Sequence, residues 1–175
     1  MKFKNILLII SGSIAGYKAL ELIRLLKQKN YQIDCVLTNS AKQFVTPLSV
    51  QSLTGTIIYD DMFAASMPHI KLSRDHDLIL VAPASANIIA KTAHGIADDL
   101  ATTLLLARDK PAIFVPAMNT KMWENKATIR NVNQLLADGI RIISPTEGSL
   151  ACGEFGLGKM AEPEVVVAYI EGEWV

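Results

Sequence analysis

An α/β fold with one doubly wound parallel sheet is predicted by three observations on the 175-residue chain. Apolar runs of strand length recur along it, helical patterns separate most of them, and small hydroxyl-bearing residues follow several of the runs. Strands that alternate with helices build a parallel sheet covered on both faces, so each strand reads as a nearly continuous apolar run. The composition agrees: 50% of the residues are hydrophobic, a share that suits buried strands and subunit interface.

The first run is Ile6 to Ile10. Residues 1–10 resemble a secretion signal only superficially, because the apolar part is short and a glycine-containing turn follows it, as at a strand-to-helix junction. Leu20, Ile23 and Leu26 then recur at helical spacing. The second run, Ile33 to Leu37, carries Cys35 in a setting that predicts a buried structural thiol. Leu78 to Ala82 is the third run, followed by helical patterns over Ala86 to Ala93 and Ala97 to Ala107. Ala112 to Val115 precedes a helix over Ile129 to Leu136, and Ile140 to Ile143 is the last strand. The expectation is one domain with five or six parallel strands, without repeats or linkers.

In such sheets, ligands bind beyond the carboxyl ends of the strands. Ser11 to Gly16, Thr38 to Ser40, Pro83 to Asn87 and Pro116 to Asn119 all fall there. Small residues and hydroxyls at successive strand ends suit a phosphate, which backbone N–H groups and a helix N-terminus can approach closely. The competing reading is that these Ser and Thr side chains only cap helices. The first turn lacks the G-x-G-x-x-G spacing, and Asp34 lies inside the second strand rather than at its end, so a mononucleotide such as FMN fits better than NAD. No Walker A sequence is present.

Seventeen basic and seventeen acidic side chains cancel, which gives no field for nucleic acid. No apolar run approaches the ~20 residues that cross a bilayer. No Cys/His cluster has metal-ligand spacing, and two cysteines in such different settings do not form a disulfide framework, so a reducing cytoplasm is the expected compartment. Of three histidines, His76 lies among Arg74, Asp75 and Asp77 and reads as part of a solvated turn, while His94 before Gly95 reads as a helix C-terminal residue. His69, at a loop-to-helix junction, ranks slightly first for acid/base work or a carboxylate contact. Asn119 reads equally well as an amide for a carboxylate and as a helix cap. Met118, Met122 and Trp123 are either core or an apolar wall beside a planar group. In Ala151 to Met160, three glycines follow Cys152 within six residues, which predicts a bending loop able to carry a thiol over a substrate, the competing reading being a surface loop whose cysteine is incidental.

Taken together, Gly12-Ser13-Ile14-Ala15, Pro83-Ala84-Ser85-Ala86-Asn87, Pro116 to Trp123 (in the pattern P-x-M-N-x-x-M-W) and Ala151 to Pro163 resemble the flavin-containing cysteine decarboxylases. The resemblance covers essentially the whole chain, and its last two motifs are the specific ones. It implies a flavodoxin-like or Rossmann-like sheet that binds FMN, and trimers, or dodecamers assembled from trimers, with active sites between subunits. By resemblance, Gly12, Ser13, Ile14, Thr38, Ser40 and Ser85 belong to the FMN phosphate and ribityl site, while Phe44, Ala86, Asn87, Ile88 and Ala117 line the flavin. His69 corresponds to the active-site histidine, Asn119 to the residue that holds the substrate carboxylate, and Cys152 to the proton donor on a substrate-covering flap at about residues 145–163. Met122 and flap main chain at Ala151 would contact a pantetheine portion.

The coenzyme A branch of the family implies 4'-phosphopantothenoylcysteine as the substrate. There the thiol is oxidised to a thioaldehyde with hydride passing to FMN, CO2 leaves, and the enethiol is re-reduced with a proton from the flap cysteine. Many bacterial members continue into a ligase domain, an activity not expected of this chain. A lantibiotic-type peptidyl-cysteine decarboxylase stops at the enethiol and has no need of Cys152. A flavin prenyltransferase is expected to lack both the Asn119 motif and the flap, and flavin-binding regulatory relatives carry acidic extensions or lose catalytic residues.

Overall fold

A computed structural model describes residues 4–62 and 68–172, with the side chains of residues 68 and 69 outside that set. Strand β1 (Asn5–Ile10) leads into helix α1 (Gly16–Gln28), and β2 (Gln32–Leu37) into α2 (Pro47–Thr54) and the two-residue β3 (Ile58–Tyr59). Helix α3 (Pro68–Asp75) precedes β4 (Leu78–Ala84), which is followed by α4 (Ala86–Ala93) and α5 (Leu100–Leu106). Then come β5 (Ala112–Pro116), the single-turn α6 (Thr120–Trp123), α7 (Lys126–Ala137) and β6 (Arg141–Ile142). A hairpin of β7 (Thr146–Ser149) and β8 (Phe155–Lys159) and the helix α8 (Pro163–Gly172) complete the chain.

The six parallel strands are ordered β3-β2-β1-β4-β5-β6. This is the doubly wound, Rossmann-like order, and it reverses direction between β1 and β4. Alternation along β1 separates two apolar layers. Ile6, Leu8 and Ile10 pack with Leu22, Ile23 and Leu26 of α1 and Val166 and Ile170 of α8. Leu7 and Ile9 face Ile88 and Ile89 of α4, Leu104 of α5 and Leu135 of α7. Side chains on neighbouring strand positions point to opposite faces, so an unbroken apolar run is what two covered faces require.

The predicted central strands and the helix at Ala86 to Ala93 are found where expected. The predicted glycine-rich loop is different: it is an antiparallel two-stranded hairpin, with Ser149 opposite Phe155 and Gly148 opposite Gly156. Its tip closes through Gly153, whose φ of +86° favours a residue without a Cβ. Cys35 is fully buried in β2, as expected, and burial pushes its thiol pKa up.

Candidate active site

The β1/β4 crevice is stitched by one hydroxyl. Ser11, at the end of β1, donates from Oγ to the Pro83 carbonyl at 2.8 Å and accepts from the Ser85 N–H at 2.8 Å. The loops after two adjacent strands are thereby held together at the point where a doubly wound sheet opens to a ligand. The sequence placed Ser11 in this region but did not single it out. Its burial beside a strand end, rather than its residue type, marks it as a positioning group.

A cleft of about 450 Å³ on this edge is lined by Gly12, Thr38, Ser40, Ser85, Ala86, Asn87 and Ile88, together with Lys91, Asp98 and Met122. A Cβ on Gly12 would collide with Ser40, so the β1 and β2 loops meet at this distance only because residue 12 is glycine. Ser85 caps α4 by accepting from the Ile88 N–H, and Thr38 accepts from the Ala41 N–H at 3.2 Å. Both the capping reading and the cleft-lining reading therefore hold for these hydroxyls. The N-terminus of α4, the hydroxyls and the apolar Ile88 wall fit a phosphorylated mononucleotide that also carries a planar apolar ring. Lys91 is paired with Asp98 at 2.7 Å, and Asp99, which also lines the cleft, leaves one formal negative charge in excess.

A second cleft, of about 460 Å³, lies on the other side of the β1 loop. Ser13, Ile14, Ala117, Asn119, Ala151 and Cys152 all line it. Asn119 and Cys152 are thus brought to one cavity from different ends of the C-terminal half. Asn119 accepts at Oδ1 from the Met122 N–H at 2.8 Å and so caps α6. Its carboxamide nitrogen has no partner among the described residues. Cys152 is exposed at the hairpin tip, with Sγ 3.7 Å from a Glu154 carboxylate oxygen. Met122 lines the hydroxyl-rich cleft rather than this one, and Phe44 is exposed and lines neither.

Lys18 is a residue that the sequence reading missed. It is buried on α1, donates from Nζ to the Met160 carbonyl at 2.8 Å and pairs with Glu162 at 3.0 Å. Lys159 pairs with the same carboxylate at 2.8 Å, and the two ammonium groups, Lys159 first, hold Glu162 below the ordinary carboxyl range. The available signal was a lysine one helical repeat before Leu22 and Leu26, on the buried face of α1.

The histidines separate by position. His94 caps the C-terminus of α4, as expected. His69 is the second residue of α3, and its predicted role lies outside the described side chains. The expectation for His76 is overturned: it is buried, with Nδ1 2.8 Å from the Leu72 carbonyl and Nε2 3.0 Å from Asp34. Burial disfavours the His76 cation, but the hydrogen bonds to Asp34 and Leu72 outweigh it and raise the pKa. The same contact lowers that of Asp34. The raised His76 value contributes stability below about pH 6.5, which is lost as pH rises through the folded-state value. The lowered Asp34 value contributes above about pH 4, and that part is lost as pH falls. His76→Gln is therefore expected to lose more stability near about pH 6 than near about pH 8.5. Urea titrations at both conditions check this, and an equal loss at both excludes an ionised pair.

A model of the flavoprotein family matches residues 1–174. The chain belongs to the flavoprotein family. The coenzyme A biosynthesis bifunctional protein CoaBC of Vibrio vulnificus (strain YJ016) is 45% identical to this flavoprotein over 172 residues, covering 96% of this chain and 43% of that one. A probable phosphopantothenoylcysteine decarboxylase of Streptococcus mutans serotype c is 42% identical over 174 residues, 96% of this flavoprotein and 97% of the relative. The flavoprotein thus spans less than half the length of the bifunctional relative. Among solved structures, a cysteine-to-serine variant of PPC decarboxylase complexed with pantothenoylaminoethenethiol matches with a TM-score of 0.89 and 34% identity, over 98% of each chain.

Proposed function

We propose that this flavoprotein is a phosphopantothenoylcysteine decarboxylase, one domain over residues 1–175 that uses FMN to convert 4'-phosphopantothenoylcysteine to 4'-phosphopantetheine and CO2. The observation that carries the reading is the meeting of the Asn119 amide and the Cys152 thiol in one cleft, beside a hydroxyl-lined cleft at the sheet's switch point. The relatives of both lengths and the solved decarboxylase support it.

Gly12, Thr38, Ser40 and Ser85 would hold the FMN phosphate and ribityl chain, with Ala86, Asn87 and Ile88 against the ring system, while Ser13, Ile14 and Ala117 would reach the cofactor from the second cleft and Phe44 from outside both. When bound, FMN would supply the two-electron chemistry that takes the substrate thiol to a thioaldehyde and the enethiol to the saturated thiol. The chain's own groups do the rest. With Oδ1 committed to the cap, Asn119 presents only N–H donors to the cleft, which suits a carboxylate and brings no full charge. That contact orients the carboxylate β to the C=S group so that CO2 leaves into an electron sink. Cys152 delivers a proton to carbon as the enethiol is reduced, and solvent restores its S–H. Flap main chain at Ala151 would pack on the pantetheine portion, together with Met122 if the substrate extends between the clefts. His69 is proposed as the active-site histidine.

Mass spectrometry of the products from the yellow, flavin-loaded protein tests the reading. Phosphopantetheine with CO2 is expected. Release of CO2 with only the enethiol would move the chain to the lantibiotic-type reaction, and no conversion would remove the decarboxylase reading altogether.

Exposed Ile14, Tyr17, Leu48 and Phe155 support an assembly that buries them, and we take it, from the family resemblance, to be in threes with the site between subunits. Light scattering is expected to give a mass that is a multiple of three chains, and a stable flavin-loaded monomer would rule this out. Among the described residues, no helix is long and apolar enough to cross a membrane. We place the reaction in the cytoplasm, where an exposed Cys152 stays reduced. Recovery of the protein in an oxidising compartment would contradict that placement.

A further inference from the structure

We infer that Thr120 is a positioning residue, a spacer that sets the height of the flap above Asn119. The inference rests on the decarboxylase reading for its functional consequence. Strand β8 lies against the first residue of α6 and the two residues before it at two glycines. A Cβ on Gly156 would run into the Thr120 hydroxyl oxygen, with Thr120 Cγ2 at 3.1 Å and Cβ at 3.3 Å behind it. A Cβ on Gly158 would run into the Met118 carbonyl, and the Met118 N–H donates to the Gly158 carbonyl at 3.0 Å. The segment 118–120 and the return strand of the hairpin are thus docked backbone to backbone, with the Thr120 side chain as the piece between them.

The Thr120 hydroxyl is buried and has no hydrogen-bond partner among the described residues. Leaving such a group unpaired is costly, so its place here is not explained by hydrogen bonding. What it does contribute is volume under Gly156. Asn119 is the preceding residue, fixed by its own cap to Met122, and Cys152 lies four residues before Gly156 on the same hairpin. The contact therefore places the carboxylate-holding amide and the proton-donating thiol on one rigid unit. CO2 loss needs the amide alone, whereas the later proton transfer needs the thiol at the correct distance from the same substrate. A change in the Thr120 spacer should damage the second step more than the first.

The experiment compares Thr120→Ala, Thr120→Val, Gly156→Ala and the double variant Thr120→Ala/Gly156→Ala as flavin-loaded protein. Two readouts are taken: the ratio of enethiol to phosphopantetheine, and hydrogen exchange of the amides in residues 146–159. Thr120→Ala and Gly156→Ala are expected to raise the enethiol share on the order of ten-fold and to speed exchange of the hairpin. Thr120→Val keeps the volume and is expected to match wild type, and the double variant to recover towards it, because a Cβ at 156 then meets only the Cβ at 120. A general loss of stability would lower both products together and leave their ratio unchanged.

Wild-type ratio and exchange in Thr120→Ala would overturn the inference, as would a double variant no better than Gly156→Ala. If Gly156→Ala fails to fold, the comparison of Thr120→Ala with Thr120→Val decides. If wild-type protein releases no CO2, the decarboxylase reading falls and the exchange data alone judge the spacer.

Discussion

Cys152→Ser is expected to release CO2 and to leave the product two hydrogens short of phosphopantetheine. The thiol stands at the hairpin tip, inside the cleft that Asn119 also lines. A hydroxyl keeps the size and shape of the group but is a far weaker acid, so the proton needed at carbon is not delivered. Loss of a positioned general acid lowers a step by roughly 10²–10⁴-fold. In the proposed reaction decarboxylation precedes that step and does not use the thiol, so CO2 formation is expected to persist for as long as oxidised flavin is present. Each turnover that stops at the enethiol leaves the cofactor reduced, and bleaching of the yellow colour should accompany the accumulated product. Normal yield of the saturated thiol would take Cys152 out of its assigned role.

Asn119→Asp is expected to keep the fold and the flavin and to lower CO2 release sharply. The structure makes this substitution unusually clean. Aspartate caps a helix as well as asparagine does, so the bond to the Met122 N–H survives with one carboxylate oxygen. The other oxygen then replaces the N–H donors and faces the substrate carboxylate. An amide-to-carboxylate contact of roughly 1.5–3 kcal/mol is lost and like charges are brought together, which lowers turnover on the order of 100-fold or more. Circular dichroism and flavin absorbance should be unchanged while CO2 falls. Undiminished turnover would exclude the carboxylate contact.

The central strands were legible because burial on both faces leaves a signature in the chain itself. Leu7 and Leu8 are both fully buried although they point in opposite directions, and only a covered sheet asks for that. The elements that escaped notice are those whose form is decided by distant partners. Strand β3 is two residues long, Ile58 and Tyr59, and exists because Cys35 and Val36 are there to pair with. The β7–β8 hairpin carries four glycines, Gly148, Gly153, Gly156 and Gly158, and its alternation is too sparse to read as strand, since two of them dock on residues 118–120 where a Cβ would not fit. His76 sits between charged neighbours and looks solvated. Its burial comes from Asp34, 42 residues earlier, which no local window contains.

The candidate site was legible to the same extent. Asn119, Ser85 and Cys152 lie next to strand ends or in a glycine-rich segment, and each lines one of the two clefts. Whether Asn119 caps or binds was an open choice in the sequence. The structure shows the cap, with the oxygen bonded to the Met122 N–H, and places the residue on the lining of the cleft. Ser11 and Lys18 were missed because each acts across 70 or more residues, on Pro83 and Ser85 in one case and Met160 in the other.

The unequal exposure of the two cysteines makes the native chain a single-thiol protein for chemical labelling. Cys35 is sealed in the sheet and its thiolate is suppressed, whereas Cys152 stands open at the hairpin tip. An alkylating reagent applied to folded protein marks one position per chain, with no need to remove the other cysteine first. A fluorophore or spin label placed there would report where the hairpin tip rests, and its rate of attachment would fall whenever a bound molecule draws that tip inward.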